Sequence, residues 1–183
     1  LTDRLVEKIG LMTAVIRRQQ NYLNDEFIEE ECHIEDVINR LLKMHLEILK
    51  SYGITVEKKF EEVPKILVQK TKLEHIIMNI LNNAKESLEC EIKGDKKLVV
   101  SLFQNSEHIF LSFKDNGVGI AQEDLSRIFS HGFTTKNWRQ GFGLHNAANF
   151  MNEMGGSIRA SSEGLGKGAV FSLQFPKKNH LVD

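Results

Sequence analysis

Residues 72–88 read KLEHIIMNILNNAKESL, and the fold follows from how this stretch is read. Leu73, Ile76, Ile77, Ile80, Leu81, Ala84 and Leu88 recur at three- and four-residue steps, which predicts a helix with one buried face. At about 100° per residue, His75, Asn79, Asn83 and Glu86 fall on a second stripe beside the apolar one. A solvated face more usually carries Lys and Glu. Two Asn side chains one turn apart, next to a core face, either cap neighbouring backbone or aim at something specific. The helix alone leaves both readings open.

Working outward, the flanking chain supplies what would cover that buried stripe. Upstream, residues 34–50 form a second amphipathic helix through Val37, Ile38, Leu41, Leu42, Leu46 and Leu49, stopped at Gly53. Residues 54–60 alternate like a strand, Pro64 breaks the chain, and residues 66–68 are a short buried strand. Downstream, residues 97–104 and 108–114 are strands joined by the turn-like Asn105-Ser106-Glu107. Residues 115–140 have little regular pattern, and a connection that long in a compact domain is usually functional. Residues 142–154 read as a helix ending at Gly155-Gly156; residues 157–162 and 169–175 read as closing strands, with Pro176 after the last. The expected class is α+β: a two-layer α/β sandwich, its mixed sheet covered on one face by helices.

Residues 1–23 are a separate matter. Leu5, Ile9, Met12, Ile16, Gln19 and Leu23 keep the four-three spacing of a bundle or coiled-coil seam. Residues 24–33, NDEFIEEECH, are acidic and aperiodic and read as a hinge or linker. The organisation expected is a helical segment and linker over 1–33, a domain over 34–178 and a tail over 179–183. A net charge of −1 and a pI near 6.7 make no demand for nucleic acid or an anionic membrane. Cys32 and Cys90, the only cysteines, match no metal spacing and fit a reducing, cytoplasmic setting. No apolar run is long enough to span a bilayer, so any membrane attachment would come from segments outside this sequence. The chain begins at Leu1 rather than Met, which reads as part of a longer protein.

Three later stretches carry chemistry. Asp115-Asn116-Gly117-Val118-Gly119-Ile120 places a carboxylate at a strand end, followed by two glycines that let backbone approach a flat ligand; a tight turn with an Asx cap would look the same. Residues 129–136, FSHGFTTK, set Phe129 and Phe133 around a loop and follow them with Thr134, Thr135 and Lys136. These read either as a packing anchor with a solvated lysine or as a lid whose hydroxyls and ammonium face phosphate. Gly141-Phe142-Gly143-Leu144 opens a helix, where backbone N–H groups and the helix dipole favour anions. A single GxG is weak evidence. Ten of the thirteen glycines lie between Gly117 and Gly168, so close-approach backbone is concentrated in this half.

In this order, an Asn-bearing helix, DNGVGI, FxxxFTTK, GxGL and a final GxGA-strand-Pro resemble the ATP-binding domain shared by sensor histidine kinases, gyrase, Hsp90 and MutL-type proteins. FTTK, GFGLH and EMGGSI resemble the sensor histidine kinases of two-component systems in particular. The resemblance covers roughly residues 34–178. It implies the histidine-kinase-type ATPase fold, ATP (and ADP) with Mg²⁺, and transfer of the γ-phosphoryl to a histidine for relay to a response regulator receiver domain. It further implies that Asn83 reaches the metal, that Asn79 completes the polar face, and that Asp115 accepts from the adenine amine. Gly117, Gly119 and Ile120 would lie against the base. Phe129, Phe133, Thr134, Thr135 and Lys136 would form the lid, and Gly141, Gly143 and Leu144 would face phosphate. Asn79, Asn83 and Lys136 would be the catalytic set, with Asn83 the metal ligand.

The sequence departs from the pattern at Glu86, where many relatives have Lys, which puts its phosphate contact in doubt. It also departs at Ala169, where Thr is common. The gyrase, Hsp90 and MutL branches carry Glu one turn before the metal Asn, to activate water; here that place holds Asn79. The family's phosphoacceptor His is usually followed by Asp or Glu. The seven histidines here precede Ile34, Leu46, Ile76, Ile109, Gly132, Asn146 and Leu181, so the acceptor is expected on an upstream helix, and residues 1–23 resemble the second helix of a homodimerisation hairpin. The alternatives are a serine-kinase relative of the same fold or a nucleotide-sensing module without transfer activity.

Overall fold

The computed structural model describes residues 29–90, 94–135 and 141–177. The helix expected over residues 1–23, the expected lid residue Lys136 and the expected tail over 179–183 lie outside these. The described elements run β1 (Glu30–Cys32), α1 (Ile34–Ser51), β2 (Ile54–Phe60), β3 (Ile66–Val68), α2 (Lys70–Glu89), β4 (Lys96–Gln104), β5 (His108–Asp115), α3 (Gly143–Glu153), β6 (Ser157–Ser161) and β7 (Ala169–Pro176). Five strands form one sheet in the order β2-β4-β5-β7-β6. Only β2 and β4 pair in parallel, with α2 in the connection between them; the other three pairings are antiparallel. The sheet is mixed and the helices pack on one face, as expected.

Alternation builds that face. Leu98, Val100 and Leu102 of β4 point to the helices, as do Ile109, Leu111 and Phe113 of β5 and Phe171, Leu173 and Phe175 of β7; all are buried. Against them lie Leu73, Ile76, Ile77, Ile80, Leu81, Ala84 and Leu88 of α2, every one buried. At roughly 2 kcal/mol for each large aliphatic side chain removed from water, this stripe is a main source of cohesion. α1 packs on α2 and β2, and α3 on α2 and β6, so α2 is the middle helix of the layer.

One reading is corrected. The acidic stretch taken as linker contains β1, which pairs antiparallel with β3 (Glu30 opposite Val68, Cys32 opposite Ile66) and buries Cys32. A three-residue strand formed by a partner over thirty residues away leaves no local period. Residues 122–129 run as consecutive turns inside the long connection, with neither helix nor strand, as expected; Ile128 N–H donates to the Asp124 carbonyl at 3.0 Å and its side chain enters the core.

Candidate functional site

The buried stripe of α2 turns its second stripe toward a cleft. Asn79, Asn83, Glu86 and Ser87 of α2 line a cavity of about 730 Å³, together with Asp115 at the end of β5, Gly119 and Ile120 after it, Phe133, Thr134 and Thr135, and residues 141–144 at the start of α3. Cys90, Val118, Ala121, Asp124, Ile128, Leu165, Ala169 and Phe171 complete the wall. Residues from seven separate stretches of sequence thus meet in one place.

Asp115 is only 3 % exposed, and it is the one buried polar side chain among the described residues. Burial pushes its carboxyl above the ordinary aspartate range; the Gly117 N–H, the Ser87 hydroxyl and the Ala169 N–H pull it back only in part. Ser87 Oγ donates to Asp115 Oδ1 at 2.9 Å and Gly117 N–H donates to the same oxygen at 3.0 Å. A carboxylate held in this way at the edge of an apolar wall (Ile128, Ala169 and Phe171 are all buried) can select a ligand that offers a donor.

The turn after Asp115 is clamped from both sides. Val118 N–H donates to the Ser87 carbonyl on α2. On the far side Gly166 N–H donates to the Val118 carbonyl at 2.7 Å and Gly168 N–H to the Gly117 carbonyl at 3.0 Å. Ser162 Oγ accepts from Ile120 N–H at 3.1 Å and donates to the Gly168 carbonyl at 2.6 Å. Gly119 has φ +71°, and a Cβ there would stand 2.2 Å from the Gly164 carbonyl oxygen. Nothing but glycine fits both conditions.

The opposite end of the cavity begins at α3. Asn79 Nδ2 donates to the Gly143 carbonyl at 3.2 Å, tying the first turn of α3 to α2. His145 of α3 makes a 3.1 Å contact from Nδ1 to the Phe129 carbonyl, which ties the same turn to the loop before it. The N-cap position, Phe142, provides no side-chain cap to the first N–H groups of α3, and residues 141–144 line the cavity. Thr134 and Thr135 are exposed at this rim.

The cavity wall therefore includes Asn79, Asn83, Glu86, Asp115, Gly119, Ile120, Phe133, Thr134, Thr135, Gly141, Gly143 and Leu144 of the expected set. Two others sit elsewhere. Phe129 packs against the core beneath the loop, the anchoring place read for it from the sequence. Gly117 turns to α2, where a Cβ would meet Ser87 Oγ at 2.4 Å, so the close approach present here is to Ser87. Ser87 was missed, although it lies four residues after Asn83 on the same stripe. Leu165 and Phe171 arrive through the closing strands and give no local signal.

Residues 68–179 match the family model described as histidine kinase-, DNA gyrase B- and HSP90-like ATPase. Sporulation kinase E of Bacillus subtilis (strain 168) is 30% identical over 123 residues, 67% of this chain and 16% of that protein. Sensor histidine kinase GraS of Staphylococcus haemolyticus (strain JCSC1435) is 26% identical over 164 residues, 87% of this chain and 46% of that one. The chain therefore spans less than half the length of these curated relatives. Among solved structures, histidine kinase ThkA in complex with response regulator protein TrrA superposes with a TM-score of 0.73 at 19% identity, covering 94% of this chain and 49% of that one. At that identity the likeness speaks for the fold.

Proposed function

The chain belongs to the histidine kinase-, DNA gyrase B- and HSP90-like ATPase family, and from that premise we propose that its cavity holds Mg·ATP and delivers the γ-phosphoryl to a histidine of a sensor-kinase hairpin, for relay to a receiver domain. Asp115 would accept from the adenine amine, with Gly119 and Ile120 against the ring. The start of α3 and the hydroxyls of Thr134 and Thr135 would take the phosphates, with Lys136 as their cationic partner. The donor set fits a magnesium ion: Asn83 and Glu86 lie one turn apart on the cavity side of α2, and Mg²⁺ favours one or two protein oxygens plus phosphate oxygens. A carboxylate such as Glu86 can stand near phosphate only with a cation or water between them. When bound, the ion would neutralise charge on the transferring group. Residues 34–178, extended back to Glu30 by β1, would be the ATP-binding unit. The residues upstream of Glu30 would carry the homodimer contact, with any membrane attachment made by other segments of the full protein.

One observation favours transfer over hydrolysis. The residue one turn before Asn83 is Asn79, and its amide is engaged with the Gly143 carbonyl. An amide takes no proton from water, so the side chain at this place positions α3 instead of activating a nucleophile. The test is incubation with γ-labelled Mg·ATP, alone and with a separately supplied dimerisation hairpin bearing a histidine. Slow turnover alone and acid-labile label on the hairpin are expected. Acid-stable label on serine, or rapid hydrolysis without an acceptor, would place the chain in another branch.

A further inference from the structure

We propose that Ser87 is a positioning residue for base recognition, its hydroxyl holding the Asp115 carboxylate in the orientation that selects a base bearing an exocyclic amine; the inference rests on the ATP reading above. Ser87 grips the 115–118 turn twice. Its hydroxyl donates to Asp115 Oδ1 at 2.9 Å and its carbonyl accepts from Val118 N–H at 3.3 Å. The hydroxyl is also packed where a Cβ on Gly117 would fall, 2.4 Å away, so the side chain fills the space between α2 and the turn. With Gly117 N–H on the same oxygen at 3.0 Å, Oδ1 carries two donors. Recognition of an incoming amine then falls to Oδ2.

Of the donors to this carboxylate, the Gly117 and Ala169 groups are backbone, present whatever the side chain. Ser87 is the one side-chain donor among them, and so the one that sequence can vary. It also opposes the burial that pushes the Asp115 carboxyl upward. Without it, the buried carboxylate loses a charge-stabilising bond and takes up a proton at higher pH, and a protonated carboxyl is the weaker acceptor. The other titratable groups on the cavity wall are Glu86 and Cys90 of α2 and Asp124 of the following loop. They are common to parent and variant and cancel in the comparison.

The experiment is calorimetric titration of the full 183-residue chain and its Ser87→Ala, Ser87→Cys and Ser87→Thr variants with Mg·ATP and with the 6-oxopurine Mg·ITP, from about pH 5 to about pH 8. Ser87→Ala is expected to lose about tenfold in ATP affinity near neutral pH, and less for ITP, so that the ATP:ITP ratio narrows. Its loss of ATP affinity on acidification should begin at a higher pH than in the parent. Ser87→Thr, which keeps the hydroxyl, should restore ratio and profile, and Ser87→Cys, a weaker donor, should fall between. An equal loss for both nucleotides with an unmoved pH profile would mean that Ser87 only packs, and would overturn the proposal. So would a Ser87→Ala protein indistinguishable from the parent. A parent that binds ITP as well as ATP, or neither, would instead refute the adenine assignment on which this rests.

Discussion

At the Asp115 end of the cavity, residues 115–120 are held from α2 on one side and from residues 162–168 on the other, by backbone bonds on both flanks. At the other end, the start of α3 is tied down through Asn79 and His145, while Thr134, Thr135 and Phe142 stand exposed around it, Phe142 at 39 %. The same cavity thus has a pinned end and an open one. Discrimination between flat bases needs acceptors fixed to a few tenths of an ångström, and a clamped turn supplies that. Charged phosphates, whose field is long-range, tolerate a looser arrangement of N–H groups and hydroxyls.

If this contrast is right, its largest consequence lies at Asp115. Asp115→Ala should weaken ATP binding by roughly 10- to 100-fold, since a charge-assisted bond is lost in a buried setting. Thr135→Ala, at the exposed rim, should cost no more than about tenfold. Calorimetry with Mg·ATP compares the two directly, and a reversed order would break the contrast.

The next effect concerns folding and uses two glycines of matching backbone. Gly119 (φ +71°) and Gly132 (φ +73°) differ in surroundings: a Cβ at 119 meets the Gly164 carbonyl at 2.2 Å, whereas at 132 nothing lies within 4 Å. Gly132→Ala should destabilise by about 1–2 kcal/mol, the left-handed penalty alone. Gly119→Ala should add a steric overlap with backbone and exceed about 3 kcal/mol. Urea unfolding of both variants measures the difference, and equal costs would show that the turn is less tightly held than described.

How much of this was legible beforehand depended on range. α2 announced itself because seven apolar residues in seventeen repeat its period, and β4 and β5 because two runs rich in Val, Leu, Ile and Phe are separated by the turn-like Asn105-Ser106-Glu107. The site residues on α2 and in the 115–120 turn sit in those legible elements. β1 was hidden because its three residues gain their conformation only from β3. At Gly117 the sequence shows that a glycine is wanted, not that Ser87 is the neighbour that wants it. Ser87 was readable from its i+4 relation to Asn83, but a serine near a helix end has too many plain uses to single out. Leu165, 73 % exposed and yet on the cavity wall, depends on the fold of residues 162–168 over the 115–120 turn and could not be placed from its own neighbours.

The smallest effect is electrostatic, and its sign is unusual for a carboxylate. Because the folded protein raises the Asp115 carboxyl above its ordinary range, the folded state holds the proton more tightly than the unfolded one. Its contribution to stability therefore falls as pH rises from the ordinary aspartate range through the raised value, and levels off above it. Nucleotide affinity should move the other way, rising over the same window as the carboxylate ionises. Urea unfolding of the parent relative to Asp115→Asn across acidic to neutral pH should show this shallow negative slope; a positive slope would mean a carboxylate stabilised by its partners.

The central claim, that the pinned end reads the base, is tested most directly by calorimetric titration of the 183-residue chain with ATP and GTP, each with Mg²⁺, in one buffer. A carbonyl in place of the adenine amine would face the Asp115 carboxylate with an acceptor, a buried mismatch of roughly 1–3 kcal/mol. ATP should therefore bind at least about tenfold more tightly than GTP, and Asp115→Ala should bring the two close together. GTP binding as tightly as ATP to the parent chain would contradict the account.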